Sequence, residues 1–193
     1  MGLAILVIGL IIFIGSHVFV SMRDERAKLI ARLGEWPYKG LFSVVSIVGR
    51  GLIIYGFALY RREGIIPLWY PPDFLRHVTD VLMWPAFVLV AAAYIPGNIK
   101  KTLKHPMLAG VKLWAFAHLI VNGDVGGIVL FGSILAWAVY DRISLKRRTD
   151  PGAPPIPVGG WTNDAVAVVV GTLAYLAVGF VFHPLAGLPV FGR

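Results

Sequence analysis

Apolar residues come in blocks along this chain, separated by basic clusters or by proline and glycine. Residues 1–22 hold no charged side chain other than a protonatable His17, and Arg23, Arg26, Lys28 and Arg32 follow at once. A cleavable signal carries its positive charges ahead of the apolar run, so this block reads as a retained first helix that continues past the membrane surface towards Gly34. The blocks 38–60, interrupted in charge only by Arg50, and 78–95, stopped by Pro96 and Gly97, approach the roughly 20 residues that cross a ~30 Å hydrocarbon core. Blocks 107–121 and 125–140 are shorter, and Asn122-Gly123-Asp124 between them reads as the tip of a tight helical hairpin. Arg142 to Trp161 is basic and then rich in Pro and Gly, which predicts a loop, and 165–182 supplies the last block. The expectation is an all-α polytopic membrane helix bundle of about six transmembrane helices, near 1–22, 38–60, 78–95, 107–121, 125–140 and 165–182.

Composition strengthens that expectation. With 58% hydrophobic residues, 15% charged residues and a mean hydropathy of +0.76, the main solvent of this chain is lipid. No segment is long and polar enough to build a soluble domain, so 1–193 is expected to form a single membrane domain. The absence of cysteine excludes disulfides, thiolate metal sites and cysteine nucleophiles, which leaves nitrogen and oxygen donors for any site. The +8 balance resides in clusters between apolar blocks; it matches anionic lipid headgroups and gives no basis for nucleic acid. Alternate connections are basic: Arg23 to Arg32, then Lys100, Lys101 and Lys104, then Arg142 with Lys146 to Arg148. The turn at 122–126 has no basic residue, although Arg61, Arg62 and Arg76 reduce the contrast. Lys and Arg near span ends stay cytoplasmic, so both termini are expected on the opposite side. No internal repeat or low-complexity tract is present.

His17, His118 and Arg50 are the ionisable groups set well inside the hydrocarbon, with Lys112 nearer a span end. Such groups are costly there unless paired or coordinated, which makes each a candidate functional residue. At about 1.5 Å of rise per residue, His17 lies roughly 21 Å from the outer end and His118 roughly 16 Å from the inner end. Their depths then differ by about 7 Å, so one cofactor fits between them. Neutral imidazole is an ordinary axial ligand of haem iron, and haem propionates need a cation. Arg50, roughly 18 Å from the inner end of its helix, is the candidate; Lys112 snorkels to the headgroups instead. Trp114, His118 and Asn122 recur at i, i+4 and i+8 and share one face, close to Val111.

A structural reading stays open beside this one. In it His118 donates to a carbonyl or to Asn122, Arg50 pairs with Asp80 or with carbonyls, and Gly15-Ser16 marks close packing at His17. His77, His105 and His183 fall at span ends or in loops and read as structural; Asp80, Asp124 and Asp141 fall near helix ends. No two-carboxylate metal site, HExxH, GxSxG or phosphate-cradling loop occurs, which argues against metal hydrolysis. The spacings Gly123 to Gly127 and Gly132 to Ala136 read as helix packing.

Several strings, taken in order, carry a family resemblance. Gly15-Ser16-His17, Leu33-Gly34-Glu35 with Tyr38 to Ser43, and His105-Pro106 with Gly110 to His118 resemble the NnrU family of integral membrane proteins. The likeness continues through Asn122-Gly123-Asp124, Phe131-Gly132, Ala136-Trp137-Ala138, Asp141, Ser144 and Lys146 to Arg148, nearly the whole chain. That family also contains the plant 15-cis-ζ-carotene isomerase, a membrane haem b protein whose redox state gates isomerisation of a cis double bond. The resemblance implies haem b as cofactor, with His17 and His118 at the positions of the iron ligands, and so favours the haem reading. The isomerase has a further functional histidine in the region that here reads Leu135-Ala136-Trp137, which contains none. Bacterial members accompany nitrogen-oxide metabolism and denitrification, which implies a bacterial inner membrane and nitric oxide as a haem ligand.

Three functions follow, in order of preference. The first is a haem b protein with a redox, gas-binding or accessory role, whose partners are the lipid bilayer and an apolar small molecule or nitric oxide. The second is a haem-dependent cis–trans isomerase of a polyene such as ζ-carotene. The third is a membrane methyltransferase, because Lys104-His105-Pro106 with Gly110 resembles the Arg-His-Pro motif of isoprenylcysteine-type enzymes. It ranks last because those enzymes carry a C-terminal acidic segment, whereas Pro184 to Arg193 holds no acid.

Overall fold

Hydrocarbon offers no water to backbone N–H and C=O groups, so a lipid-solvated chain satisfies them within helices. The computed structural model describes residues 1–148, 158–185, 187–188 and 190–191. Among these the fold is all-α, with no strands. Its helices are α1 (Gly2–Ser21), α2 (Arg23–Leu33), α3 (Glu35–Glu63), α4 (Phe74–Tyr94), α5 (Asn98–Leu103), α6 (Pro106–Val121), α7 (Val125–Arg147) and α8 (Gly160–Leu185). Five of them, α1, α3, α4, α7 and α8, are long and apolar enough to cross a membrane, and α6 is a shorter apolar helix of 16 residues. The chain is an integral membrane protein. Residues 149–157 of the expected Pro/Gly-rich loop lie outside the described residues.

Several helices outrun their apolar blocks. α3 extends the block 38–60 at both ends, α4 begins at Phe74, and α8 continues to Leu185. Hydropathy stops at the first charge, whereas helical hydrogen bonding continues through polar turns that reach the headgroups. The expected extension towards Gly34 is a separate helix, α2, ended by Gly34 at φ 87°, a conformation that favours glycine. Helices α7 and α8 each contain a wider π-helical turn, Ile128–Gly132 and Val178–Phe182.

The chain divides into two compact units, Met1–Tyr70 with Gly123–Ser144 and Pro71–Asn122 with Leu145–Arg193. In the first, α1 and α3 run antiparallel at close range. A Cβ on Gly9 would lie 2.6 Å from Ile53 N, and one on Gly49 2.8 Å from Phe13 N, with Gly2 and Gly56 as tightly set against Tyr60 and Leu6. Helices in lipid associate through such contact between small residues. Gly15 and Gly132 face open space, so neither is the packing residue their spacing predicted. Gly126 lies against the ring of Tyr60, whose hydroxyl accepts from Ile66 N at 2.8 Å. Residues 66–69 are stitched to 123–125, since Leu68 N donates to Gly123 O at 2.8 Å and Val125 N to Ile66 O at 3.0 Å. Buried Asp124 caps α7, accepting from Gly127 N at 2.9 Å.

In the second unit α4 packs on both α6 and α8. Where a hairpin tip was expected, the chain passes from one unit to the other, and α6 takes α4 as its packing partner. A Cβ on Gly110 would lie 2.8 Å from Ala86 O, and one on Gly171 2.5 Å from Val88 Cα. Thr79 Oγ1 donates to Ala117 O at 3.0 Å, and Trp84 Nε1 to Thr172 Oγ1 at 2.9 Å. Ala91, Ala92 and Ala167 form a small buried core.

Candidate functional site

His17 stands on α1 with its ring in an aromatic surround. The ring centroids of Phe13, Phe42 and Trp137 are 4.2, 5.3 and 5.3 Å away. Nδ1 lies 2.7 Å from Phe13 O. A carbonyl oxygen only accepts, so Nδ1 carries the proton and Nε2 of the neutral ring carries the lone pair. Arg50 is exposed on α3, its guanidinium carbon 5.9 Å from the Phe13 centroid, so the cation and the imidazole share one aromatic neighbour. Trp137 Nε1 and Ser46 Oγ are among the buried polar atoms of this unit that have no hydrogen-bond partner among the described residues. The α1–α3 register that opposes Phe13 to Gly49 sets Ser46 at the level of Ser16. Trp137 is a residue that spacing did not single out; its signal was an indole in the region where the relative has histidine.

In the second unit, His118 on α6 repeats the arrangement. Its Nδ1 donates to Trp114 O at 2.9 Å, which again assigns the Nε2 lone pair, and the Trp114 ring lies 5.1 Å away, tilted by 44°. Asn122 Nδ2 donates to His118 O at 2.7 Å. The face of Trp114, His118 and Asn122 therefore exists, but Asn122 closes the C-terminal end of α6. The carbonyl bond of the structural reading is present, and it is compatible with ligation because it uses Nδ1 alone.

His118 also lines a small, partly open cleft of about 40 Å³ with Asp80, Phe87, Tyr175, His183 and Phe191. Tyr175 Oη donates to Asp80 O at 3.2 Å and ties α8 to α4. Phe191 lies against Gly179, in the wide turn of α8. From the sequence His183 reads as structural and Asp80 as lying near a helix end, because both sit at the edges of apolar blocks. Helix α4 starts at Phe74 and α8 runs to Leu185, so both are inside helices, and that boundary difference is what hid them.

Among the described residues no group of three or more His, Asp or Glu is placed to hold a metal ion. Haem asks less of the chain, because the porphyrin supplies four nitrogens and the protein supplies one per axial position. Within each unit, one imidazole held through Nδ1 is of the donor type that such a position takes.

The family described as NnrU protein matches residues 5–190. No curated protein and no solved structure matches the chain.

Proposed function

Starting from the chain's membership of the NnrU family, we propose that it is a haem b-binding membrane protein with a redox, gas-binding or accessory role in nitrogen-oxide metabolism. The observation that carries the reading is the pair of Nδ1–carbonyl bonds, 2.7 Å at His17 and 2.9 Å at His118. Metal-binding histidines are characteristically held in this way, with one nitrogen donating to an oxygen and the other left with its lone pair. His17 and His118 would hold the iron and Arg50 would offset the negative charge of the group, while Trp114 steadies the His118 ring and Asn122 fixes the end of its helix. Haem, when bound, would supply one-electron chemistry and, on release of one imidazole, a coordination position for a diatomic gas such as nitric oxide. The region Leu135-Ala136-Trp137 lacks the histidine of the isomerase relative, so polyene isomerisation is the second reading and no observation favours it.

The setting we propose is a bacterial inner membrane with both termini on the non-cytoplasmic side. The hydrogen bonds between 66–69 and 123–125 join those two connections on one side, and the basic clusters on the alternate connections are what support assigning that side as non-cytoplasmic.

The test is the absorption spectrum of the purified full chain loaded with haem b. A Soret band is expected in the parent and in Trp114→Phe, and its loss or shift in His17→Ala and in His118→Ala. A parent without the band, or histidine variants with the parental spectrum, overturns the reading.

A further inference from the structure

Arg26 on α2 and Tyr38 on α3 each carry a polar atom that protein covers and nothing pairs. Arg26 Nε and Tyr38 Oη have no hydrogen-bond partner among the described residues, and Tyr38 is only 6% exposed. The two side chains are neighbours, since the guanidinium carbon of Arg26 lies 5.6 Å from the centroid of the Tyr38 ring. The acids around them do not meet the Arg26 charge. Glu25 is paired with Lys28 at 2.8 Å and Glu35 with Lys39 at 2.6 Å, while Asp24 is exposed and, two residues from Arg26, faces another side of α2.

Those two groups select the chemistry of a ligand. A guanidinium Nε–H only donates and the phenolic hydroxyl beside it has its proton to give, so the ligand accepts from both. The unmet positive charge makes that acceptor an anion, and the guanidinium fork suits phosphate. Position decides which phosphate. α1 has ended at Ser21 before Arg26 is reached, and Trp36, exposed at the start of α3, is the kind of residue that sits at headgroup level. Anionic lipid phosphates are concentrated at that level. Helix α2 buries none of its own residues and joins α1 and α3 through single non-helical residues, Met22 and Gly34, so a headgroup displaces little packing on entering.

We propose that Arg26 and Tyr38 bind the phosphate of an anionic phospholipid at this end of the first unit. Arg26 Nε and Tyr38 Oη donate to its oxygens, and the acyl chains run along the lipid-facing surface. The binding is independent of the haem reading. Phe13 opposes Gly49 across α1 and α3, so Tyr38 lies about two turns, roughly 10 Å, beyond the level of His17.

The experiment titrates the purified full chain in detergent with a short-chain phosphatidylglycerol and follows bound lipid by native mass spectrometry. The diacylglycerol with the same chains and inorganic phosphate are titrated in parallel. Saturable phosphatidylglycerol binding is expected, about tenfold or more tighter than either control, the ratio for one good hydrogen bond to a charged group. Tyr38→Phe and Arg26→Gln are expected to lose about that factor. Lys28→Gln removes an equal charge from an exposed position on the same helix and is expected to bind within about twofold of the parent. Without lipid, Tyr38→Phe is expected to unfold at the parental temperature or above it, because it deletes an unpaired hydroxyl, so its lost affinity reads the site and not the fold. Diacylglycerol binding as tightly as phosphatidylglycerol overturns the proposal, as do parental affinity in Tyr38→Phe and equal losses in Lys28→Gln and Arg26→Gln. Inorganic phosphate binding as tightly as the lipid overturns the lipid assignment in favour of free phosphate. If Arg26→Gln fails to fold, Tyr38→Phe decides.

Discussion

The indole N–H of Trp137 is covered by protein and lacks an acceptor, while its ring meets that of His17 edge to face at 5.3 Å. A buried donor left unpaired costs about 1–3 kcal/mol. Trp137→Phe keeps an aromatic ring and deletes the N–H, so the haem-free chain is expected to unfold at the same temperature or a higher one, followed by circular dichroism in detergent. A clear fall would show that indole volume outweighs the orphaned donor. Other single residues were legible from spacing. The i, i+4, i+8 set Trp114, His118 and Asn122 shares a face because helical geometry is local, and its hydrogen bonds stay within one helix and its cap. Asp80 and His183 were not legible, since their significance comes from facing the same cleft and not from their neighbours in the chain.

Between helices, the spacing of small residues is what matters. Gly2 and Gly9 on α1, and Gly49 and Gly56 on α3, are each one heptad apart and line the contact. A left-handed crossing returns the same stripe every 3.5 residues, which is why a heptad and not the four-residue spacings of Gly132 to Ala136 marks the interface. Forcing a side chain into such a contact costs about 1–3 kcal/mol or more. Gly56→Leu is therefore expected to lower the thermal midpoint by about 2 °C or more. Gly15→Ala, where the space is open, is expected to hold or raise it, because alanine is worth roughly 0.5–1 kcal/mol over glycine in a helix. Equal midpoints for the two variants would contradict the close α1–α3 contact. The spans themselves were legible as apolar blocks; their ends were not, because a helix does not stop where hydropathy does.

For the molecule as a whole, the lack of cysteine makes orientation directly measurable. Under the proposed topology, Tyr70→Cys in the 64–73 connection is expected to react with a membrane-impermeant maleimide on intact cells. Thr102→Cys in α5 is expected to react only after permeabilisation. The reverse pattern would invert the assignment. Tyr70 is 87% exposed, so access is not limited by packing.

That this chain is lipid-solvated and helical follows from its residues taken in order, because hydrocarbon compels each span to satisfy its own backbone. The haem-ligand candidates His17 and His118 were visible in the same way, as ionisable side chains in apolar blocks. The cleft of Asp80, His118 and His183, the orphaned indole beside His17 and the glycine contacts of α1 with α3 emerged only on folding. They depend on the register and crossing of helices far apart in the chain, which are set by mutual packing and leave no mark in the hydropathy of any one segment.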